Sequence, residues 1–370
     1  DAAFFDANED GAVDLYVASG GNQYVSGNYL QDRLYLNDGK GFLKSANALP
    51  VIEQNKSSVS VADVDNDGDQ DIFVAVLANA QAFGVPQTSY LLINDGKANF
   101  SIADQSIISL ANIGIVTSSS FSDINNDGWN DLIIVGEWMP VTIFINEKGK
   151  YKQTIIPNST GLWQTVFIDD TNGDGYADIL AGNWGWNNKF RSGKDGPLRM
   201  YVADFDNNSK TEQLLSYTLN GTEYPFLAKD EVERPLPLLK KHYLYYSDYA
   251  GVAMQDVFYG WIDTIKPVMA ERLGSAICYG DGKGNFTIND LPVQLQSAPI
   301  FSFQRISSNT SDETTWLAGG NFFDVIPYEG RYDAQALALF SANRDINLRY
   351  LSQSNLAGVK GQVRDLKWIQ

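Results

Sequence analysis

A single cysteine, Cys278, and a single histidine, His242, stand among 370 residues. One thiol cannot close an internal disulfide, and one thiol with one imidazole cannot build a Cys- or His-based zinc or iron–sulfur centre. The same shortage argues against a Ser-His-Asp triad. Basic residues are also scarce: 27 Lys and Arg face 45 Asp and Glu, a formal net charge of −18. That balance argues against a nucleic-acid partner, whose phosphates must be met by clustered cations. No apolar run approaches the roughly 20 residues that span a bilayer, so the chain is not expected to cross a membrane. Hydrophobic residues at 44% suffice for an ordinary globular core. The sequence starts at Asp1 with no initiator Met, and is expected to be part of a longer chain.

What the sequence does have is an internal repeat, and searching for one first decides the fold. The segments FFDANEDGAVDLYVA, VADVDNDGDQDIFVA, FSDINNDGWNDLIIV and FIDDTNGDGYADILA share the frame D-x-[DN]-x-D-G-x-x-D, beginning at Asp6, Asp63, Asp123 and Asp170. A fifth, eroded copy, DFDNNSKTE, begins at Asp204. Short runs such as Asp71-Ile-Phe-Val-Ala-Val follow the frames; they are too short for helices and too rich in Val and Ile for loops, and they read as buried strands. Further on come hairpin signals with Asn-Asp-Gly or Asp-Gly turns: RLYLNDGKGF, SYLLINDGKANF, VTIFINEKGKY and AICYGDGKGNF. One repeat is therefore strand, acidic loop, strand, linker, strand, tight turn, strand, which is one blade of a β-propeller.

The expectation is an all-β chain, a single β-propeller domain over 1–370 built from four-stranded antiparallel sheets. Blade-opening strands fall near residues 4, 59, 119, 165, 200, 301 and 363, which counts seven blades; six is the competing count, if the Asp204 loop is a hairpin inside blade four. Residues of about 228–273 show helical spacing, with Leu238, Leu239, Tyr243, Tyr246 and Tyr249 followed by Met254, Val257, Phe258 and Trp261, and read as a helical insertion.

Carboxylates at alternate positions of a tight loop converge on one point, a Gly permits the turn, and a later acid closes the shell, which is the logic of a shortened EF-hand loop. The expected ligands are Asp6, Asn8, Asp10 and Asp14; Asp63, Asp65, Asp67 and Asp71; Asp123, Asn125, Asp127 and Asp131; and Asp170, Asn172, Asp174 and Asp178. Backbone carbonyls at the seventh position, as at Asp69, Trp129 and Tyr176, complete the shells. All-oxygen ligation suits Ca²⁺, which takes 6–8 oxygens at about 2.3–2.6 Å. Four ions follow, and a fifth if Asp204, Asp206, Asn208 and Glu212 hold one, where Ser209 replaces the Gly. Solvated Asp/Asn turns are the plainer alternative for one such loop; four copies in one register, each between strands, favour calcium.

The frames with their NDGKGNF-type hairpins resemble the VCBS/FG-GAP repeat, the unit also found in integrin α-subunit propellers. The stretches QDRLYLNDGKG, VGEWMPVTIF, LAGNWGWNNKF, PLRMYVADFDNN and AGGNFFDVIPYEGRYD extend the resemblance over nearly the whole chain, to large bacterial VCBS-repeat proteins related to the ASPIC/UnbV group. The resemblance implies a calcium-loaded propeller in exported or envelope-associated proteins, hence an extracytoplasmic location (secreted, periplasmic or cell-surface).

A second pattern closes the strands after the loops: Gly20-Gly21-Asn22, Gly136-Glu137-Trp138, Gly182-Asn183-Trp184-Gly185-Trp186 and Gly319-Gly320-Asn321. Equivalent strand ends lie on one face of a propeller, so Asn22, Glu137, Trp138, Asn183, Trp184, Trp186 and Asn321 are candidate ligand-binding residues for a glycan or a protein. The alternative is that the Gly and Asn turn the chain while the Trp rings pack between blades. The sequence therefore reads as a binding module with structural calcium; a polysaccharide lyase or hydrolase with its site at this Gly-Asn-Trp end, and a pure scaffold, are the rivals. No catalytic residue is assigned, and His242 and Cys278 read as packing or surface residues.

Overall fold

The computed structural model describes residues 1–45, 48–306, 313–325, 330–335, 337–351, 359 and 361–368. The strands β1 (Ala2–Phe5), β2 (Asp14–Val17), β3 (Arg33–Asn37) and β4 (Phe42–Lys44) pair in that order into the first sheet. The second repeats the plan with β5 (Lys56–Ala62), β6 (Asp71–Val76), β7 (Tyr90–Ile93) and β8 (Ser101–Ile102). The third joins β9 (Ile115–Ser122), β10 (Asp131–Met139), β11 (Thr142–Asn146) and β12 (Tyr151–Ile155), and β13 (Gly161–Leu162) adds to the far end of β10.

The fourth sheet opens with β14 (Thr165–Asp169) and β15 (Asp178–Gly182) and is then interrupted. The chain leaves to form β16 (Leu198–Ala203), β17 (Glu212–Leu219) and β18 (Thr222–Pro225), three single-turn helices α1 (Lys229–Glu233), α2 (Tyr246–Tyr249) and α3 (Met254–Val257), and β19 (Val268–Ala270). These strands make a separate sheet in the order β18-β17-β16-β19. Only then do β20 (Ala276–Gly280) and β21 (Phe286–Asp290) return to complete the fourth sheet on β15. The last sheet is β22 (Ile300–Ile306), β23 (Glu313–Gly320), β24 (Leu337–Asn343) and β25 (Leu348–Leu351). The chain is thus all-β with few helices, and the described residues form six antiparallel sheets, five of them four-stranded.

Two details bear on the sequence expectation. The Asp204 loop joins β16 to β17 in a sheet of its own, in line with a strand opening near residue 200 and against the competing hairpin inside blade four; the stretch read as helical, by contrast, ends in β19, where Val268–Ala270 pairs with β16. A short segment beside an open strand edge gains ladder hydrogen bonds that a frayed single helical turn cannot offer. Near residue 363 the chain has no regular structure. It nevertheless runs beside the last sheet, with Val363 N–H donating to Gly320 O (2.8 Å) and Trp368 Nε1–H to Arg305 O (2.7 Å).

The core lies between successive sheets. Ile72 and Val74 of β6 pack with Phe5, Tyr16 and Leu34 of the first sheet, whereas Phe73 and Ala75 face Leu132, Ile134 and Phe144 of the third. Ile133 and Val135 join Ile179, Ala181 and Cys278, and Leu180 and Ile277 join Phe303, Trp316 and Phe340. Central strands are therefore buried on both faces, which is why they read as unbroken apolar runs rather than alternating ones. Cys278 is a small core residue whose thiol burial pushes up to about 12.

Glycines set how closely strands approach, between sheets at Gly20 and Gly182 and within one sheet at Gly136 and Gly320. A Cβ on Gly20 would strike Lys56 O, one on Gly136 Ile115 O, one on Gly182 Ile300 O and one on Gly320 Pro299 O. In every case the obstacle is backbone at the start of a first strand, which cannot rotate away. Gly182→Ala is therefore expected to cost about 1–3 kcal/mol in urea unfolding; a loss of only a few tenths would mean that the strands part freely.

Candidate functional site

Each acidic frame sits between the first two strands of its sheet, and the fifth sits between β16 and β17. All five share one backbone path. Position four is left-handed in every frame (φ 58° at Glu9, 59° at Asn66, 59° at Asn126, 77° at Gly173, 58° at Asn207), and so is position six (85° at Gly11, 105° at Gly68, 86° at Gly128, 91° at Gly175, 66° at Ser209). Gly and Asn tolerate that region best, which accounts for most of the choices. The eroded fifth loop keeps the geometry although Ser209 has replaced the glycine.

The first and last acids hold the loop in shape. Asp6 accepts from the N–H groups of Asp10 and Gly11, Asp123 from those of Asp127 and Gly128, Asp170 from Asp174 and Gly175, Asp204 from Asn208 and Ser209, and Asp63 from Gly68. The last acid is fully buried in the first four frames. Asp14 takes the N–H groups of Ala7 and Asn37, Asp71 those of Val64 and Asn94, Asp131 those of Ile124 and Asn146, and Asp178 those of Thr171 and Gly280. One carboxylate thus fastens its own loop to the third strand of its sheet. Burial pushes Asp71 up to about 7 and Asp131 and Asp178 up to about 6, outweighing the two amide donors that each of them has.

The third position separates the loops into two kinds. Asn8, Asn125 and Asn172 each accept from the N–H of position five and donate to its carboxylate, Asp10, Asp127 or Asp174. Where that position is an acid, the carboxylates gather instead: oxygens of Asp63, Asp65 and Asp71 lie within 4.8 Å of one another, as do those of Asp204, Asp206 and Glu212. In both clusters one oxygen, Asp63 Oδ1 or Asp206 Oδ1, is buried with no hydrogen-bond partner. Burial, then the charge of Asp67, pushes Asp65 up. A buried, unpaired carboxylate oxygen is costly unless a cation meets it, and an all-oxygen donor set without imidazole or thiolate fits a hard divalent ion. Trp129 and Tyr176 donate their N–H groups to Asp127 and Asp174, which fixes the seventh position of those loops.

Sequence reasoning placed Asp69 at a carbonyl position and passed over its side chain. That side chain is 5% exposed with Oδ1 unpartnered, and Glu9 of the first loop adds to the charges around it. Burial first, and Asp67, Asp65 and Glu9 next, push Asp69 up to about 6.

The candidate ligand residues fall into three environments. Asn183 and Asn321 are buried, and their amides bind backbone: Asn183 donates to Arg272 O and accepts from Trp184 N–H, while Asn321 donates to Gly361 O and accepts from Gln335 N–H. Glu137, Trp138 and Trp184 are half-buried. Trp184 meets Phe190, Phe322 and Tyr332 edge-to-face at 5.9, 5.4 and 5.3 Å. Trp138, with φ 61° at a bulge in β10, packs beside it on Leu162, Leu198 and Leu273. Glu137 accepts from Gln164 Nε2 (2.9 Å), and burial raises its carboxyl against the pull of Gln164 and Trp184. Asn22 and Trp186 are exposed. Asn22 accepts from Asn55 Nδ2 (2.8 Å), whereas Trp186 stands at the rim of a cavity of about 650 Å³. His242 is exposed at the end of a short 3₁₀ turn.

The sequence model of the FG-GAP-like repeat matches residues 6–74 and 123–181, which hold the first four acidic frames. The chain carries FG-GAP-like repeats. A search of curated proteins finds no match. Among solved structures, the V. cholerae biofilm matrix protein Bap1 is similar at 14% identity over 84% of this chain, with a TM-score of 0.32. The chain spans 41% of the Bap1 chain. Consecutive FG-GAP-like repeats are also stitched together through their hairpins. Asn94 Nδ2 donates to Ala7 O (3.0 Å) and Asn146 Nδ2 to Val64 O (2.8 Å), so the third-strand Asn of one repeat holds the acidic loop of the repeat before it.

Proposed function

We propose that this chain is a calcium-stabilised β-propeller acting as a glycan-binding module of an extracytoplasmic protein. The propeller rests on the succession of first strands, in which β5 lies against β1 and β9, and β14 against β9 and β22, with an apolar core between each sheet and the next. The run at 362–368 lies against the last sheet through Val363 and Trp368, and the β16–β19 sheet with its helices is an insertion outside the ring. Calcium is structural, pinning the loops that join first to second strands. Open loops of this kind bind with modest affinity, which suits a calcium-rich exterior.

The observation that carries the ligand assignment is the Trp186 cavity. The ring is 48% exposed, its Nε1 edge resting 2.7 Å from the point where a Cβ on Gly274 would stand. Arg191, Lys194 and Arg272 line the cavity together with Asp195, Glu271 and Asp290, and Arg272 pairs with Asp290. A flat apolar surface ringed by both donors and acceptors matches a pyranose, which offers an apolar face and an edge of hydroxyls. Nothing in this lining favours one charge sign, so a neutral sugar fits better than a polyanion.

Immobilised glycans are expected to retain the protein without releasing product, and Trp186→Ala to weaken retention at least about tenfold, the equivalent of 1.4 kcal/mol. Trp184→Ala should instead lower stability, since that ring is packed among three others. Unchanged retention by Trp186→Ala would remove the cavity from the account. Released oligosaccharide would favour the polysaccharide-acting enzyme, for which Glu137, raised by burial, is the available acid.

A further inference from the structure

We propose that a second kind of divalent-cation site bridges the first two sheets, held by Glu9 of the first acidic loop and Asp69 of the second. This site lies outside the frame positions that gather Asp63, Asp65 and Asp71. It rests on three independent observations.

The first is Asp69 itself. Its side chain is 95% buried, yet Oδ1 has no hydrogen-bond partner. The neighbouring charges that act on it are all negative, from Asp67, Asp65, Glu9 and Asp63. A buried carboxylate in such company is costly unless a cation or a proton reaches it. The second is Glu9. At the left-handed fourth position the other frames use Asn66, Asn126, Gly173 and Asn207, the residue types that tolerate φ > 0. Glu9 alone of the five is acidic and long enough to reach across to another sheet.

The third observation is the space between them. Gly96, in the hairpin turn after β7, has φ 70° and no side chain. Asp69 Oδ2 lies 3.5 Å and Glu9 Oε2 3.8 Å from the point where its Cβ would stand. Two carboxylates from different loops thus converge on one small gap that the glycine leaves open. Two charged oxygen ligands with water filling the remaining positions describe a weak site for Ca²⁺, the ion that accepts irregular oxygen shells. Its effect is to tie the loop of one repeat to the loop of the next, alongside the contact that Asn94 makes with Ala7.

The test is calcium binding by the intact chain, measured by isothermal titration and by thermal midpoint against calcium concentration, for the wild type, Glu9→Gln and Asp69→Asn. Glu9 is exposed, so Glu9→Gln leaves the fold intact. Expected is the loss of one weak site in Glu9→Gln, with the tighter sites retained. The upper, millimolar arm of the midpoint curve should flatten in both variants, and calcium-soaked crystals should show an ion between Glu9 and Asp69. Identical stoichiometry and midpoint curves for Glu9→Gln and the wild type would overturn the proposal. So would a loss confined to Asp69→Asn, which would make Asp69 a ligand of the second loop's own ion. A wild type that binds no calcium at all would remove the frame sites together with this one, an outcome distinct from either.

Discussion

Chelation with EDTA is expected to lower the thermal midpoint by on the order of 10 °C at pH 8, and by much less at pH 5. An ion held at a hundred times its dissociation constant adds about 2.7 kcal/mol per site, and the two loops that gather three acids each supply at least two sites. The pH dependence follows from the buried last acids. Asp71, raised to about 7, and Asp131 and Asp178, raised to about 6, bind a proton more tightly folded than unfolded. Without calcium, these groups therefore make the fold more stable as pH falls from about 7 towards the ordinary carboxylate range near 4, and less stable as it rises. Calcium takes the place of the proton above that window and competes with it below. The gap between calcium-loaded and chelated midpoints should accordingly widen from pH 5 to pH 8. Scanning calorimetry with elemental analysis decides the matter: an unchanged midpoint and no bound metal would sink the calcium assignment.

Lys56→Met should destabilise the chain by about 3–5 kcal/mol, the largest single-residue effect expected here. Lys56 opens the second sheet and is almost fully buried, with Nζ 3.1 Å from Asp32 Oδ1 and donating to Ile52 O (2.6 Å) and to Leu30 O. Asp32, equally buried, accepts from Tyr16 O–H (2.6 Å) and Ser19 N–H (2.7 Å). Burial lowers the Lys56 ammonium and raises the Asp32 carboxyl, while each partner's charge opposes the shift of the other. Deleting the ammonium alone strands a carboxylate between two sheets. Deleting both charges, in Lys56→Met with Asp32→Leu, should cost less than Lys56→Met alone, because no buried charge is then left unmet. Urea unfolding of the singles and the double closes the cycle. A Lys56→Met loss below about 1 kcal/mol would mean that the site admits water.

Much of this was legible because the chemistry is local. The frame D-x-[DN]-x-D-G-x-x-D encodes its own loop through short-range bonds, such as Asp123 to Gly128, and the Asn-Asp-Gly turns encode the hairpins. Long-range partners leave no such mark. Asp32 lies in the stretch QDRLYLNDGKG and Lys56 in none of those quoted, nothing in either neighbourhood names the other, and only the packing of the first sheet on the second brings them together. The Gly-Gly-Asn strand ends were visible, but their glycines serve backbone contact and Asn183 and Asn321 serve internal hydrogen bonds, leaving Trp186 as the exposed aromatic of that set. The last acid of each frame was expected to close a metal shell; that it also anchors the third strand depends on Asn37, Asn94, Asn146 and Gly280, which lie 15 to 102 positions further along the chain.

The interruption of the fourth sheet bears on how the chain reaches its folded state. Ile179 of β15 must find Cys278 of β20 across roughly 100 residues, whereas β6 meets β7 across roughly 20. Closing the longer loop costs more chain entropy, and that cost falls if the intervening β16–β19 sheet and helices collapse first on their own cluster of Leu214, Val232, Leu236 and Phe258. The order of assembly is then set by topology: the first three sheets zip up from neighbouring hairpins, and the fourth waits for its guest.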